Sequence, residues 1–267
     1  MAVRSIWKGN ISFGLVNIPI KVYSATEDNV FSFNQLCKNG HRVRYKRWCP
    51  VEEREVNYEE IKKGYEVTKD NYVLIEKTDL EDIKIKTTKT IDIEEFVNVD
   101  ELDPIFVEKS YYIAPDTKTV DKAYMLMVSI LKNTSKVAIG KVVLRDKEQL
   151  VALRAYQRGI VMHVLHYLDE IKPMDEIKEI AAFGGRAKPD EQELDLGRML
   201  VDKLSSEQLD VGKYSDTYAK QLQSLIEAKA QGRKHVLTEE QAPEGSKDLL
   251  EALKASVRKS SRPRKKS

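Results

Sequence analysis

The chain has 267 residues, 41% hydrophobic and 33% charged, which is enough to bury a real core and reads as soluble and globular with some extended, polar parts. No apolar run approaches the ~20 residues that span a bilayer, and Asn10, Asn17 and Pro19 interrupt any signal-like apolar stretch at the N-terminus. Two cysteines, Cys37 and Cys49, give no disulfide framework, so a reducing cytoplasm is expected. The net charge of +2 conceals a segregation. Residues 246–267 hold eight Lys/Arg against two Asp/Glu, which leaves the rest of the chain mildly acidic. Residues 1–26 and 38–47 carry cations and no acid, whereas 59–108 carry fifteen acids against seven bases. Blocks of this kind are compatible with a polyanion partner on one face, and equally with solvated surface.

Read from the N-terminus, Ile11, Phe13 and Leu15 alternate with small or polar residues, and the phase then slips to Val16, Ile18, Ile20 and Val22. A slip of one residue turns the side chains to the opposite face, which predicts a tight turn or bulge near Gly14. Further strands are expected at 42–48, 72–76, 90–97, 107–113, 137–144, 150–155 and 160–167, from their Val, Ile and Tyr content between polar turn residues. A helix at about 121–132 is predicted from the spacing of Tyr124, Met127, Val128 and Leu131, with Asp121 as its cap. So many strands in one segment favour a barrel or sandwich. Pro173, Gly184, Gly185 and Pro189 mark a linker over 173–192. Beyond it the pattern is helical: Leu196, Met199, Leu200 and Leu204 form one stripe, and Tyr218, Leu222, Leu225 and Ile226 another. A short amphipathic helix follows, with Leu249, Leu250, Leu253 and Val257 on one face. The last ten residues are basic, without a large apolar side chain, and are expected to be disordered in isolation.

Catalytic signatures are missing. The chain has no phosphate loop, no dinucleotide fingerprint, no HExxH and no GxSxG. Ser5–Lys8 and Ser256–Lys259 match S-x-x-K by chance spacing. His163 and His166, three apart on a strand, point to opposite faces and cannot share an ion. Cys37, His41, Cys49 and Glu52 have the outline of a zinc site, but Glu52 stands where a thiolate or imidazole is usual, so no metal is expected. The segment His41–Trp48, HRVRYKRW, is more informative. Extended, it would place Arg42, Arg44 and Lys46 on one face at roughly 7 Å intervals. Such a ribbon suits either a phosphate backbone or an edge strand kept apart from its neighbours by charge.

The run IWKGNISFGLVNIPIKVYSATED at 6–28 resembles the opening of bacterial and archaeal Ku proteins. The likeness continues through RVRYKRWCP (42–50), KKGYEV (62–67), DPIFVEKSYYIAPD (103–116), KAYMLMVSILKNTSKVAIGKVVLR (122–145) and LVALR (150–154). It extends to KYSDTYAKQLQSLIEAK (213–229) and DLLEALKASV (248–257). The resemblance implies an α+β, mainly β fold. A Ku-core barrel over 1–172 would carry a bridge at about 30–70, followed by the linker 173–192, a helical arm over 193–245 and a docking helix with basic tail over 246–267. It also implies a homodimeric ring, nucleoid-associated in the cytoplasm, that threads onto double-stranded DNA ends without reading bases. Such a ring acts in non-homologous end joining without cofactor or catalytic centre and recruits an ATP-dependent DNA ligase. On that reading Arg42, Arg44, Lys46 and Arg47 contact phosphate from the bridge. Lys8, Lys21, Lys136, Lys141, Arg145 and Arg154 are candidates for a barrel cradle. Leu249, Leu250, Leu253 and Val257 would dock the ligase, and Arg258, Lys259, Arg262, Arg264, Lys265 and Lys266 would add nonspecific DNA affinity. Many relatives carry CxxC near the bridge; here Glu52 follows Cys49, which takes any inherited metal away. Rival readings are a single-strand or RNA-binding barrel, which would need more stacking aromatics than Tyr45 and Trp48, and an end-processing enzyme.

Overall fold

The computed structural model describes residues 3–27, 31–82, 89–116, 121–145, 147–182 and 190–232. The chain divides into two units, Met1–Lys172 and Pro173–Ser267. Seven strands of the first unit close into a barrel: β1 (Trp7–Phe13), β2 (Val16–Ser24), β7 (Thr90–Asn98), β8 (Val107–Pro115), β9 (Lys136–Leu144), β10 (Lys147–Tyr156) and β11 (Gly159–Leu165). Their order around the wall is β1-β2-β8-β11-β10-β9-β7, and β7 returns to β1. That last pairing is parallel and the others are antiparallel.

The expected phase slip is a two-residue hairpin. Gly14 has φ +56, a backbone open to glycine at no steric cost, and Phe13 pairs with Val16 across it. Ile11, Ile18, Ile20 and Val22 then all point inward and are fully buried. Ile91, Val151, Leu153, Ile160 and Met162 complete this interior from the other strands. Burial of each large aliphatic side chain is worth about 1.5–3 kcal/mol. Helix α2 (Asp121–Thr134) adds Tyr124, Met127, Val128 and Leu131, the four positions that its periodicity marked. The side chain of Asp121, the expected cap, lies outside the described residues.

A second, smaller cluster lies on the outer face of the wall. Val137, Ala152 and Leu165 are buried there against Leu102 and Phe106 from the segment between β7 and β8 and Val107 at the start of β8. Asp103 holds that segment by accepting a hydrogen bond from the Ile105 amide at 2.9 Å. Two glycines let the wall close. A Cβ on Gly140 would meet the Asp92 carbonyl oxygen at 2.3 Å, beside a bulge between Ile93 and Glu95, and one on Gly9 would meet the Lys89 oxygen at 2.1 Å.

The described residues of the long excursion between β2 and β7 form no core. Among its described residues, none from 31 to 81 is buried. It contains two small hairpins, β3 (Trp48–Cys49) with β4 (Arg54–Glu55) and β5 (Lys63–Thr68) with β6 (Asn71–Ile75), and then a short helix, α1 (Lys77–Asp82). This corrects the expectation for 42–48. Only its last residue, Trp48, belongs to a strand, because Arg42 makes one isolated bridge to Leu36 and residues 43–47 have no continuous ladder. Neither β5 nor α1 was expected, since KGYEVT and KTDLED lack apolar periodicity. The strand expected at 160–167 ends at Leu165.

The second unit has α3 (Lys178–Ala181), α4 (Glu191–Leu204) and α5 (Thr217–Ala230). Asp190 and Glu193 cap α4 reciprocally, and the Asp216 carboxylate accepts from the Ala219 amide at 2.9 Å to start α5. Leu196, Leu200, Leu222 and Leu225 are half-buried, but no described residue of this unit is buried. The amphipathic helix at 249–257 and the basic tail lie outside the described residues. Among the described residues, no helix is long and apolar enough to cross a membrane.

The Tyr124 hydroxyl ties α2 to the wall, donating to the Ile113 carbonyl at 2.6 Å and accepting from the Ile160 amide at 3.0 Å. Tyr124→Phe should cost about 1–3 kcal/mol, because both backbone groups lose a buried partner. Gly140→Ala should cost about 1–3 kcal/mol through displacement of β7. Urea midpoints measure both, with an unchanged m-value expected.

Candidate nucleic-acid interface

The basic segment is built from two turns in succession. A tight turn at Cys37–Gly40 folds Val43 back on Gln35, with the Val43 amide donating to the Gln35 carbonyl at 2.9 Å. Tyr45 donates from its hydroxyl to the Gln35 side chain. The β3–β4 hairpin is prolonged on its outer side by the Val56 amide, which donates to the Arg47 carbonyl at 2.8 Å. These contacts divide the four cations expected to act as a row. Lys46 pairs with Glu55 at 2.8 Å, and that hydrogen bond raises its pKa above the ordinary lysine value. Arg47 lies over the Tyr58 ring, 5.1 Å from its centroid. Arg42 and Arg44 are exposed and make no ion pair with any described residue. Lys46 and Arg47 thus have partners within the hairpin and the turn after it, and Arg42 and Arg44 have no ion pair among the described residues.

Arg54 makes a clasp that sequence reasoning missed. Its Nε reaches Glu52 at 2.6 Å and its Nη2 reaches Glu60 at 2.7 Å. The Arg54 hydrogen bond, reinforced by Asn57, holds the Glu60 carboxyl below its usual range. Glu52 is thus engaged by a guanidinium. Cys37 Sγ lies 3.8 Å from His41 Nδ1, and among the described residues no cluster of three or more ligands suited to a metal forms.

Strand parity settles where the barrel cations point. Lys8 and Lys21 are register partners on the outer face of β1 and β2. The Lys21 ammonium is paired with Asp116, whose hydrogen bond raises the lysine pKa and is matched by a lowered carboxyl. Lys141 also faces outward and lies 3.5 Å from Glu94. Lys136 has inward parity at the end of β9, opposite Asn98. Arg145 sits in the turn after β9 with φ +53, beside a cavity at the barrel end that Trp7, Lys109, Tyr111 and Lys147 also line. Arg154 faces outward from β10, and its Nε donates to His163 Nε2 at 2.9 Å. The six do not form one patch: Lys8 and Lys21 lie on one side of the wall, and Arg154 lies three strands away in the order β2-β8-β11-β10.

His163 also missed recognition, since in sequence it was only an unpaired half of a false metal pair. Its Nδ1 lies 2.8 Å from Ser110 Oγ. Because the Arg154 Nε–H needs an acceptor at Nε2, the imidazole is neutral with its proton on Nδ1, donated to Ser110. Burial, and then the Arg154 charge, push its pKa below the ordinary 6.5. His166, past the strand end, instead lies 3.4 Å from Glu170. A depressed histidine pKa means that the unfolded chain takes up the proton first. This contribution to stability is therefore complete above pH 6.5 and erodes as pH falls through the folded-state value. Wild type should lose thermal stability between pH 7 and the onset of carboxylate protonation. His163→Gln should flatten that part of the profile, as followed by melting temperature against pH.

The comparisons follow from this architecture. Residues 12–196 match the family model described as the Ku70/Ku80 beta-barrel domain. A protein of Archaeoglobus fulgidus named "Non-homologous end joining protein Ku" is 42% identical over 96% of this chain and 98% of its own length. Proteins of the same name from Heliobacterium modesticaldum and Bacillus subtilis are 41% and 36% identical, over 96% and 98% of this chain and 92% and 84% of their own lengths. Among solved structures, the SPOC domain of human PHD-finger protein 3 aligns with 61% of this chain and 95% of its own, at 9% identity and a TM-score of 0.30, which is too low to bear on fold or function. A barrel-domain match across most of the chain, joined to near full-length identity of this order, shows that the chain belongs to the Ku family.

Proposed function

We propose that this chain binds the ends of duplex DNA without regard to sequence, as a homodimeric ring acting in non-homologous end joining. It holds ends and does not process them. The observation that carries the reading is the bridge, whose described residues 31–81 include none that is buried. Tyr65, Val67, Tyr72 and Leu74 stand more than half exposed on a two-stranded ribbon. Isolated two-stranded ribbons are marginal in water. An arm of this kind is stabilised when a second copy and a DNA duplex cover it. Arg42 and Arg44 are then the bridge groups with charge to spare, and guanidinium forks suit phosphate oxygens.

A ring also answers a physical difficulty. Phosphate contacts are salt-sensitive and carry no sequence information. Enclosure slows dissociation without base readout, and a closed ring has no entry onto circular DNA. The names of the relatives support the end-joining role. The C-terminal residues Leu249, Leu250, Leu253 and Val257 would dock an ATP-dependent DNA ligase, and the tail from Arg258 to Lys266 would add nonspecific affinity, in a cytoplasmic, nucleoid-associated setting.

Arg42→Ala with Arg44→Ala should weaken binding alike on unrelated duplex sequences and reduce the log–log salt slope by about 1.8, two phosphates at about 0.9 each. An unchanged slope refutes the bridge assignment. Linear duplex should be retained in gel shift where the same DNA, circularised, is not; equal binding to both refutes the clamp.

A further inference from the structure

Among the described residues, His163 is the only buried side chain besides Tyr124 that carries a polar group, at 8% exposure. It lies on the outer face of the barrel, where an aliphatic residue would fill the space without needing partners. Both its nitrogens are committed, Nδ1 to Ser110 on β8 and Nε2 to Arg154 on β10. The imidazole thus spans three adjacent strands and fixes the Nε edge of the Arg154 guanidinium. A second contact lies over an aromatic ring: Arg154 Cζ is 5.3 Å from the Tyr156 ring centroid. Tyr156 is itself stacked on Tyr112, with centroids 6.4 Å apart and rings inclined by 21°.

Arg154 differs from three lysines of the barrel in what it lacks. Lys21, Lys141 and Lys147 on the same barrel are each paired with a carboxylate, Asp116, Glu94 and Glu170 respectively. Arg154 has no carboxylate partner among the described residues, and its Nη groups make no hydrogen bond there. A guanidinium clamped at one edge and over one face, with its two-nitrogen edge open and no neutralising acid, is a preorganised receptor for a tetrahedral oxyanion.

We propose that Arg154 holds one phosphate of DNA on the outer barrel wall, and that His163 is the residue that positions it. The inference rests on the end-binding reading above and adds to it a site and a division of labour. Arg154 makes the contact. His163 and Tyr156 remove the rotational freedom that a long arginine side chain would lose on binding. His163 acts through Arg154 and touches no DNA itself.

The test measures affinity of the full-length protein for a short blunt duplex by fluorescence anisotropy over a series of salt concentrations. Arg154→Ala should weaken binding about tenfold, as expected for one charge-assisted hydrogen-bonded contact, and lower the salt slope by about 0.9. His163→Ala should weaken binding in the wild-type background and have no effect in the Arg154→Ala background. An unchanged slope in Arg154→Ala overturns the contact, and equal effects of His163→Ala in both backgrounds overturn the positioning role. Arg154→Lys keeps the charge and most of the stem but loses the clamped fork; it should bind more weakly with an unchanged slope, and wild-type affinity overturns the proposal even where the alanine variant is unstable. Duplexes with 5′-hydroxyl and 5′-phosphate ends separate two sources of the anion. An equal penalty on both supports a backbone phosphate, and a penalty confined to the phosphorylated ends supports a terminal one. Failure of the wild type to bind linear duplex removes the end-binding reading itself, whereas wild-type binding that is indifferent to Arg154 removes this inference alone.

Discussion

Closure of the barrel is the constraint on which everything else depends. β1 must lie beside β2 in the chain and also pair in parallel with β7, which arrives after the whole bridge has been made. Parallel register puts Ile11 level with Ile91, and both are fully buried. The approach is close enough that Gly9 and Gly140 leave no room for a Cβ. With the wall closed, no barrel edge is left to recruit foreign strands. The single large core so formed anchors the two ends of a long excursion that has no core of its own.

That excursion inverts the usual economy of a domain. None of its described apolar residues is buried, and its described order comes from turns, short hairpins and charged contacts such as the Arg54 clasp. Exposed ion pairs contribute little each, and none of the described residues from 31 to 81 is buried. The helical unit follows the same pattern: α4 and α5 are well capped but bury no residue.

Charge is arranged by partnership more than by density. The basic ribbon has four cations in six residues, but Glu55 and Tyr58 engage Lys46 and Arg47 and leave Arg42 and Arg44 outward. On the barrel, three lysines are neutralised by carboxylates while Arg154 is held by a neutral imidazole. A neutral clamp orients a guanidinium without discharging it. The partner that engages a cation can be distant in sequence, as Asp116 is from Lys21.

Much of this was legible beforehand. The alternation around Gly14, the helical spacing of Tyr124, Met127, Val128 and Leu131, and the runs at 137–144 and 150–155 all report local burial, which has a fixed period in either helix or strand. The bridge was harder to read because nothing there is buried, so KGYEVT formed a strand without announcing one, and 42–48 looked like a strand but pairs only at its end. The family resemblance was also written along the chain, in ordered segments from residue 6 to residue 257. By itself, then, the sequence determined the barrel strands, the main helix, the kinship and the existence of a basic segment, because each is read from residues near one another in the chain. Only the tertiary structure decided which cations are spent, with Ser110 and His163 fifty-three positions apart and Lys21 and Asp116 ninety-five. Such contacts depend on which strands the closed barrel makes adjacent, and that order is not the order of the chain.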